Sequence, residues 1–338
     1  MSGNESVMMR MDSQGQTMIT SPALNGIVGA SPSICTLRSF IPKVAARDCN
    51  VLITGETGTG KERVAEAIHA HSPRASGNLV CINCAAVPDS LFESELFGYE
   101  RGAFTGAQAR HEGRLQQADG GTVFLDEIGD MSLANQAKIL RAIEQKQIYR
   151  VGGRTAERLN IRVIAATNQN LLELIANKQF RSDLYYRLNV INIVLPPLRD
   201  RREDVGLLFQ HYMRLLSDDE GGSMRELTLD ALNLLLQYGW PGNIRELRNL
   251  VEWLLLDPAD RMIVPDDLPA QFRAPRSYDS IGERDRLIAV LSATHWNKTA
   301  AAKQLQCSRM TLYRKMDKFH LTKSPAAPNL VTKSSSTT

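Results

Sequence analysis

The chain has 338 residues, 43% of them hydrophobic and 23% charged, which is enough apolar content for a sizeable core and excludes global disorder. At roughly 150 residues per domain, this length fits two domains with a small third. Lys and Arg outnumber Asp and Glu by 40 to 37, so the chain is not basic throughout, and the lack of any stretch of eighteen apolar residues excludes a transmembrane helix.

Residues 1–22 read as a flexible arm. Met1–Thr20 is polar and Met-rich, without the basic start and apolar run of an export signal, so a cytoplasmic protein with five reduced cysteines is expected. Apolar runs then recur at Val51–Thr54, Leu79–Cys84, Thr122–Leu125, Ile161–Ala166 and Val190–Leu195, with helical patterns such as Glu62–Ala70 and Asn135–Gln145 between them. Buried strands alternating with helices predict an α/β fold with a parallel sheet sandwiched by helices over 23–198. After Pro196-Pro197 the period is helical (Asp204–Leu216, Thr228–Gln237, Ile244–Leu256), which predicts an all-α unit over 199–273. A linker over 274–281, a helical unit over 282–322 and a disordered Ser/Thr-rich tail over 323–338 complete the expected division. From Ile281 to Lys323 nine basic residues face three acidic ones, so the last unit is the part suited to nucleic acid.

The first strand runs into Gly55-Glu56-Thr57-Gly58-Thr59-Gly60-Lys61-Glu62 and then a helix. Glycines let the backbone curl so that N–H groups face phosphate oxygens, the helix start adds positive potential, and Lys61 reaches the outer phosphates of ATP. Glu62 replaces the usual Mg²⁺-binding hydroxyl and could act directly or through water. The strand ending in Asp126-Glu127 places two acids at the ligand edge of the sheet. Asp126 suits Mg²⁺ through water and Glu127 suits polarising the attacking water. A third strand ends in Thr167-Asn168, where a polar side chain could read the γ-phosphate.

With Glu95-Leu96-Phe97-Gly98-Tyr99-Glu100-Arg101 followed by Gly102-Ala103-Phe104-Thr105-Gly106-Ala107, the sequence resembles the AAA+ ATPases of bacterial enhancer-binding proteins, the activators of sigma-54 RNA polymerase. The resemblance spans about Ile27 to Leu321. It implies that Gly102–Ala107 engages the sigma factor; independently, glycines at both ends supply hinges, and an exposed Phe104 needs a partner surface unless it tucks back into its own domain. It further implies that Asn83 senses Glu127, that Asn168 is the first sensor and Arg245 the second, and that Ile27 and Val28 line the adenine pocket. Arg181 and Arg187 are then fingers offered to a neighbouring subunit's nucleotide in a homo-oligomeric, hexameric ring. The partners implied are the sigma-54 holoenzyme and upstream enhancer DNA, and, since the sequence resembles the truncated branch without a receiver domain, control comes from a separate regulatory protein or from expression level. Departures are Leu115-Gln116, where the family usually has Phe-Glu, Lys178-Gln179 in place of a glycine turn, and Ser182 in place of an acid. The first of these neutralises a carboxylate near the base of the loop and predicts that any ion pair coupling the loop to the nucleotide is weaker.

The C-terminal pattern, with Ala300–Leu305 and then Arg309–Lys318 behind an N-cap Ser308, is a helix-turn-helix similar to the Fis-type end of the same family. Lys298, Ser308, Arg309, Thr311, Tyr313, Arg314, Lys315 and Lys318 are the candidate DNA contacts. Cys81 and Cys84 are expected to be ordinary core thiols, and Asp218-Asp219-Glu220 a solvated loop. Two other readings stay open: a different AAA+ machine, and a DNA-binding regulator with a vestigial nucleotide fold. Intact Lys61, Asp126, Glu127, Arg181 and Arg187 weigh against the second.

Overall fold

The computed structural model describes residues 10–11, 17–18, 26–220, 225–257, 261–273, 287, 298–305 and 309–319. The expected linker over 274–281, the tail over 323–338 and Ser308 lie outside them. Two compact units are present, Met1–Arg273 and Ala274–Thr338.

In chain order the first unit contains strands β1 (Arg10–Met11) and β2 (Thr17–Met18), helix α1 (Pro32–Ala45), β3 (Val51–Thr54), α2 (Lys61–Ala70), β4 (Leu79–Asn83), α3 (Asp89–Phe97), β5 (Gly98–Tyr99) and β6 (His111–Glu112). There follow α4 (Arg114–Gln117), β7 (Thr122–Asp126), α5 (Leu133–Gln145), β8 (Gln147–Tyr149), β9 (Ala156–Arg158), β10 (Arg162–Thr167), α6 (Leu171–Ala176), α7 (Ser182–Leu188) and β11 (Ile191–Val194). The last helices of the unit are α8 (Asp204–Glu220), α9 (Leu229–Gln237), α10 (Asn243–Leu255) and α11 (Ala270–Arg273). Where a featureless arm is expected, β1 and β2 pair antiparallel. Asp218–Glu220, expected in a loop, instead continue α8.

Five strands form one parallel sheet in the order β11-β3-β10-β7-β4. Alternate residues serve opposite faces, as the pleat demands. Leu52, Val123, Leu125, Val163 and Ala165 enter one core with residues of α3, α5 and α7. Val51, Ile53, Phe124, Ile164 and Ala166 enter the other with α1 and α2. Burial on both faces is why these strands read as continuous apolar runs. The crossovers bring Thr54, Thr167, Asp126 and Asn83 to the same carboxyl edge.

The helical lid has its own core around the fully buried Trp240, with Phe209, Leu247, Leu250 and Phe272. The Trp240 indole N–H donates to the Leu235 carbonyl at 2.9 Å, so its polar end is satisfied. The Thr228 hydroxyl accepts from Ala231 N at 3.3 Å and starts α9 as an N-cap. In the second unit, helices α12 (Lys298–Gln304) and α13 (Arg309–Lys318) bury Ala301, Ala302, Leu312 and Met316 with Leu287. Residues 282–286 and 288–297 of the helical unit expected over 282–322 lie outside the described residues.

Candidate functional site

The loop between β3 and α2 curls through positive φ at Gly58 (79°) and Gly60 (101°). A Cβ on Gly58 would collide with the Gly242 carbonyl oxygen, so glycine is what lets the lid approach this turn. Lys61 opens α2 and is buried; its ammonium donates to the carbonyls of Gly55 (3.1 Å) and Glu56 (3.5 Å) and lies 3.5 Å from Glu127 Oε1. The Thr59 hydroxyl donates to the Glu56 carbonyl at 2.8 Å and closes the curl.

β7 delivers Asp126 and Glu127 to the same cleft. Glu127 stands in the left-handed region (φ 51°), and its Oε2 accepts from Asn168 N at 3.1 Å. The Asn168 side-chain amide donates to Thr57 Oγ1 at 2.8 Å, joining the end of β10 to the phosphate loop. Burial, then the neighbouring Glu127 charge, pushes the Asp126 carboxyl above its ordinary range, and Glu62 adds to the same repulsion. Asp126 and Glu62 are therefore the oxygen donors suited to a hard cation. No group of three His, Cys, Asp or Glu side chains forms a metal cage among the described residues, so phosphate and water would have to supply the other ligands. Asn83 pairs in register with Asp126, but its side-chain oxygen accepts from Ala85 N (3.0 Å) and Ala86 N (3.2 Å). Among the described residues no hydrogen bond brings it to Glu127.

The lid closes the cleft from above. A cavity of about 600 Å³ is lined by Ile27 and Val28, the loop 57–62, Asp126, Glu127, Tyr212 and Arg245, with Arg248 one turn on. The buried Asp204 of α8 accepts from Ala30 N (2.6 Å) and Ser31 N (2.8 Å), so the strap carrying Ile27 and Val28 is bonded to the lid. The Glu56 carboxylate, expected at the phosphates, faces the lid instead: Arg199 donates to both oxygens (2.8 and 2.5 Å) and Asn243 Nδ2 to one (3.2 Å). The hydrogen bonds from Arg199 and burial pull opposite ways on this carboxyl, and the former hold it below its ordinary range.

Away from the cleft, the β5–β6 ladder carries Gly102–Ala107. Gly102 (φ 83°) and Gly106 (φ 108°) turn the chain, and Gly102 N donates to the Ala107 carbonyl at 2.9 Å. Phe104 remains 44% exposed while its ring edge meets Tyr99 with centroids 4.9 Å apart. It is neither free nor tucked into the core.

Residues 27–194 match the Sigma-54 interaction domain, 199–283 the AAA+ ATPase lid domain and 282–319 the Bacterial regulatory protein, Fis family. The chain is 45% identical over 310 residues to the transcriptional regulatory protein ZraR of Klebsiella oxytoca, covering 88% of this chain and 70% of that protein. It is 41% identical to the regulatory protein AtoC of Escherichia coli K12, covering 90% and 70%. The chain belongs to the sigma-54-dependent transcriptional activators. Among solved structures, NtrX from Brucella abortus in complex with ATP aligns with a TM-score of 0.68 and 37% identity, covering 87% of this chain and 69% of that one.

Within this family frame the remaining residues fall outside the cleft. Arg181 is exposed and donates to both Asp183 oxygens (3.1 and 2.7 Å). Arg187 is exposed on the same helix and lines a separate cavity with Asn50 and Lys146. Neither lines the cleft of its own chain. In the helix-turn-helix unit, Arg309, Thr311, Tyr313 and Arg314 are exposed on α13, Lys315 is half-buried and Lys318 lies in its last turn. Lys298 places its ammonium 4.9 Å from the Tyr313 ring centroid. Cys84 is a core thiol, pushed up to about 12 by burial. Cys81, expected beside it in the core, is exposed, because β4 is the edge strand.

Several residues of the site went unnoticed as contacts in the sequence. Asn243 carries no signal beyond its place in Trp240-Pro241-Gly242-Asn243, Arg199 and Arg201 lie in a charged run with no periodicity, and Asp204 reads only as the start of a helix. Arg201 is buried and donates to the Thr59 carbonyl at 3.1 Å.

Proposed function

We propose that the chain is a DNA-tethered ATPase that remodels the closed complex of sigma-54 RNA polymerase. The observation that carries this reading is the pairing of a half-exposed Phe104 on a glycine-hinged loop with a phosphate-binding cleft in the same compact unit. The curled backbone of 57–61 and the start of α2 hold the phosphates of ATP. Lys61 turns from its own loop carbonyls to the outer phosphates. Glu127, held in place by Asn168 N, accepts the proton of the attacking water. Asp126 and Glu62 would hold Mg²⁺, which supplies charge neutralisation at the phosphates. Arg245 reaches the nucleotide from the lid, and Arg181 and Arg187 from a neighbouring copy in a hexameric ring. Asn83 must leave its own turn to bear on Glu127, which gives the cleft two arrangements.

Hydrolysis then moves Gly102–Ala107 against sigma-54, while Arg309, Thr311, Tyr313, Arg314 and their neighbours hold upstream DNA in the cytoplasm. No helix among the described residues is long and apolar enough to cross a membrane. Control comes from a separate binding protein or from expression level. The test is Phe104→Ala: ATP hydrolysis is retained and ATP-dependent open-complex formation on a sigma-54 promoter is lost. Open complexes formed at the wild-type level by this variant would sink the mechanism.

A further inference from the structure

Leu115 and Gln116, the departure nearest the loop, have defined surroundings. Leu115 is buried in the larger core. Gln116 accepts from Gly113 N through Oε1 (3.3 Å), and its amide nitrogen donates to Glu157 Oε2 on strand β9. The same carboxylate oxygen accepts from Arg150 Nη2 at 2.9 Å, while Arg150 Nη1 donates to Glu100 Oε1 at 3.0 Å. Glu100 stands two residues before Gly102, at the foot of the loop. The Arg150 side chain is 5% exposed, whereas Glu157 is 27% and Glu100 39% exposed, so the guanidinium is buried and its carboxylate partners keep some contact with water. Arg110, at the solvent edge, lies 3.9 Å from Glu100 and 3.7 Å from Glu157.

The backbone joins the same pieces. Val151 N donates to the Gly98 carbonyl (2.9 Å) and Glu100 N to the Val151 carbonyl (3.0 Å). A Cβ on Gly152 would lie 2.9 Å from that of Ala103, so the β8–β9 turn rests directly on the loop. Two carboxylates, Glu100 and Glu157, face two guanidiniums, Arg110 and Arg150. A third carboxylate at position 116 would press against Glu157 and remove one of the N–H groups that it accepts, beside that of Arg150. A carboxylate at 157 therefore goes with an amide at 116.

We infer that Gln116 and Glu157 form a reciprocal pair. Glu157, on the β8–β9 hairpin, acts with Arg150 as a positioning residue for Gly102–Ala107. This rests on reading that loop as the sigma-54 contact. Ion pairing at the foot of the loop is carried by the second hairpin.

The experiment uses full-length Gln116→Glu, Glu157→Gln and the double exchange, measuring ATP turnover, open complexes formed per ATP hydrolysed, and thermal midpoints. Each single variant keeps turnover within about twofold and loses opening per ATP by roughly tenfold, because Gln116→Glu sets a like charge against Glu157 and Glu157→Gln removes the partly buried partner of Arg150. The double exchange recovers opening to within about twofold and recovers the midpoint. A merely structural role would lower turnover and midpoint together, without rescue by exchange. Singles that open promoters normally, or a double as impaired as the worse single, overturn the inference. If wild type opens no sigma-54 promoter, the reading of the loop fails; the thermal cycle then decides the pairing, supporting it by rescue and overturning it by simple additivity.

Discussion

Asn243 of the lid holds Thr57 of the phosphate loop: its side-chain amide donates to the Thr57 carbonyl at 3.0 Å, while its Oδ1 accepts from Leu198 N at 2.8 Å. The residue is fully buried and stands at φ 52°, so α10 begins on a strained asparagine wedged between the two halves of the cleft. Ile244 N donates to the Gly58 carbonyl at 2.9 Å beside it. Any rotation of the lid must pull on the loop that holds the phosphates.

Replacing Asn243 by Gly keeps the left-handed backbone and deletes only the amide. Leu198 N and the Thr57 carbonyl then lose buried partners, at roughly 1–3 kcal/mol each. We expect KM for ATP to rise about tenfold, with a smaller change in kcat and a lowered Tm. Asn243→Asp should be worse than Gly, since it loses the donor and sets a charge against Glu56. Steady-state kinetics of the three proteins decide this; an unchanged KM in both variants would show that the lid does not shape the loop.

Asp126 gives a pH signature. Burial and the adjacent Glu127 raise its pKa in the folded chain from the ordinary 3.8, so its ionisation opposes folding. The penalty is absent well below pH 3.8, grows as the pH climbs toward the folded value, and is constant above it. Asp126→Asn should therefore raise Tm at pH 7, by roughly 2–4 °C for each kcal/mol removed, and the gap should close as the pH is lowered toward 3.8. ATP hydrolysis should be lost, and added Mg²⁺ should stabilise wild type more than the variant. Thermal scans across pH, with and without Mg²⁺, check this; a less stable variant with a pH-independent gap would mean that the fold welcomes the ionised carboxylate.

The sheet was legible because its strands are buried on both faces. Val51–Thr54 needed no adjustment, whereas Leu79–Cys84 ends at Asn83, since Cys84 N already turns to the Asp126 carbonyl at 2.9 Å. Lys61, Asp126, Glu127 and Asn168 were legible because each follows a strand at the same edge. Asn243 and Glu157 were not, because their roles arise from contacts 186 and 41 residues away along the chain, which no local period records. Cys81 was misplaced for a related reason: a sequence run does not say which strand lies at the edge.

Lys178, where the family usually turns on glycine, adopts φ 57°. Its N–H donates to the Ile175 carbonyl (3.0 Å) and Gln179 N to the Leu174 carbonyl (2.8 Å), a Schellman end for α6 that requires a left-handed residue. A side chain there costs about 1 kcal/mol. Lys178→Gly should raise Tm by about 2–4 °C and leave ATP turnover unchanged, as thermal unfolding and a phosphate-release assay would show. A drop in Tm would mean that unfolded-state freedom outweighs the relieved strain.

Arg181 and Arg187 are exposed and stand outside the cleft of their own chain, although Arg181 must leave Asp183 to act elsewhere. If they complete a neighbour's site, two inactive proteins should rescue each other. Lys61→Ala lacks a working phosphate loop but offers intact arginines; Arg187→Ala offers the converse. Alone, each should fall about 10³-fold or more in ATP turnover, the scale of a lost trans arginine. Mixed in equal amounts, they form rings in which about a quarter of the interfaces unite an intact loop with an intact arginine, by random pairing of two equally populated copies. Turnover should therefore recover to a substantial fraction of wild type in the mixture, and the recovery should vanish on dilution below the concentration that supports assembly. Mixtures no more active than their components would show that Arg187 does not complete a neighbouring copy's site.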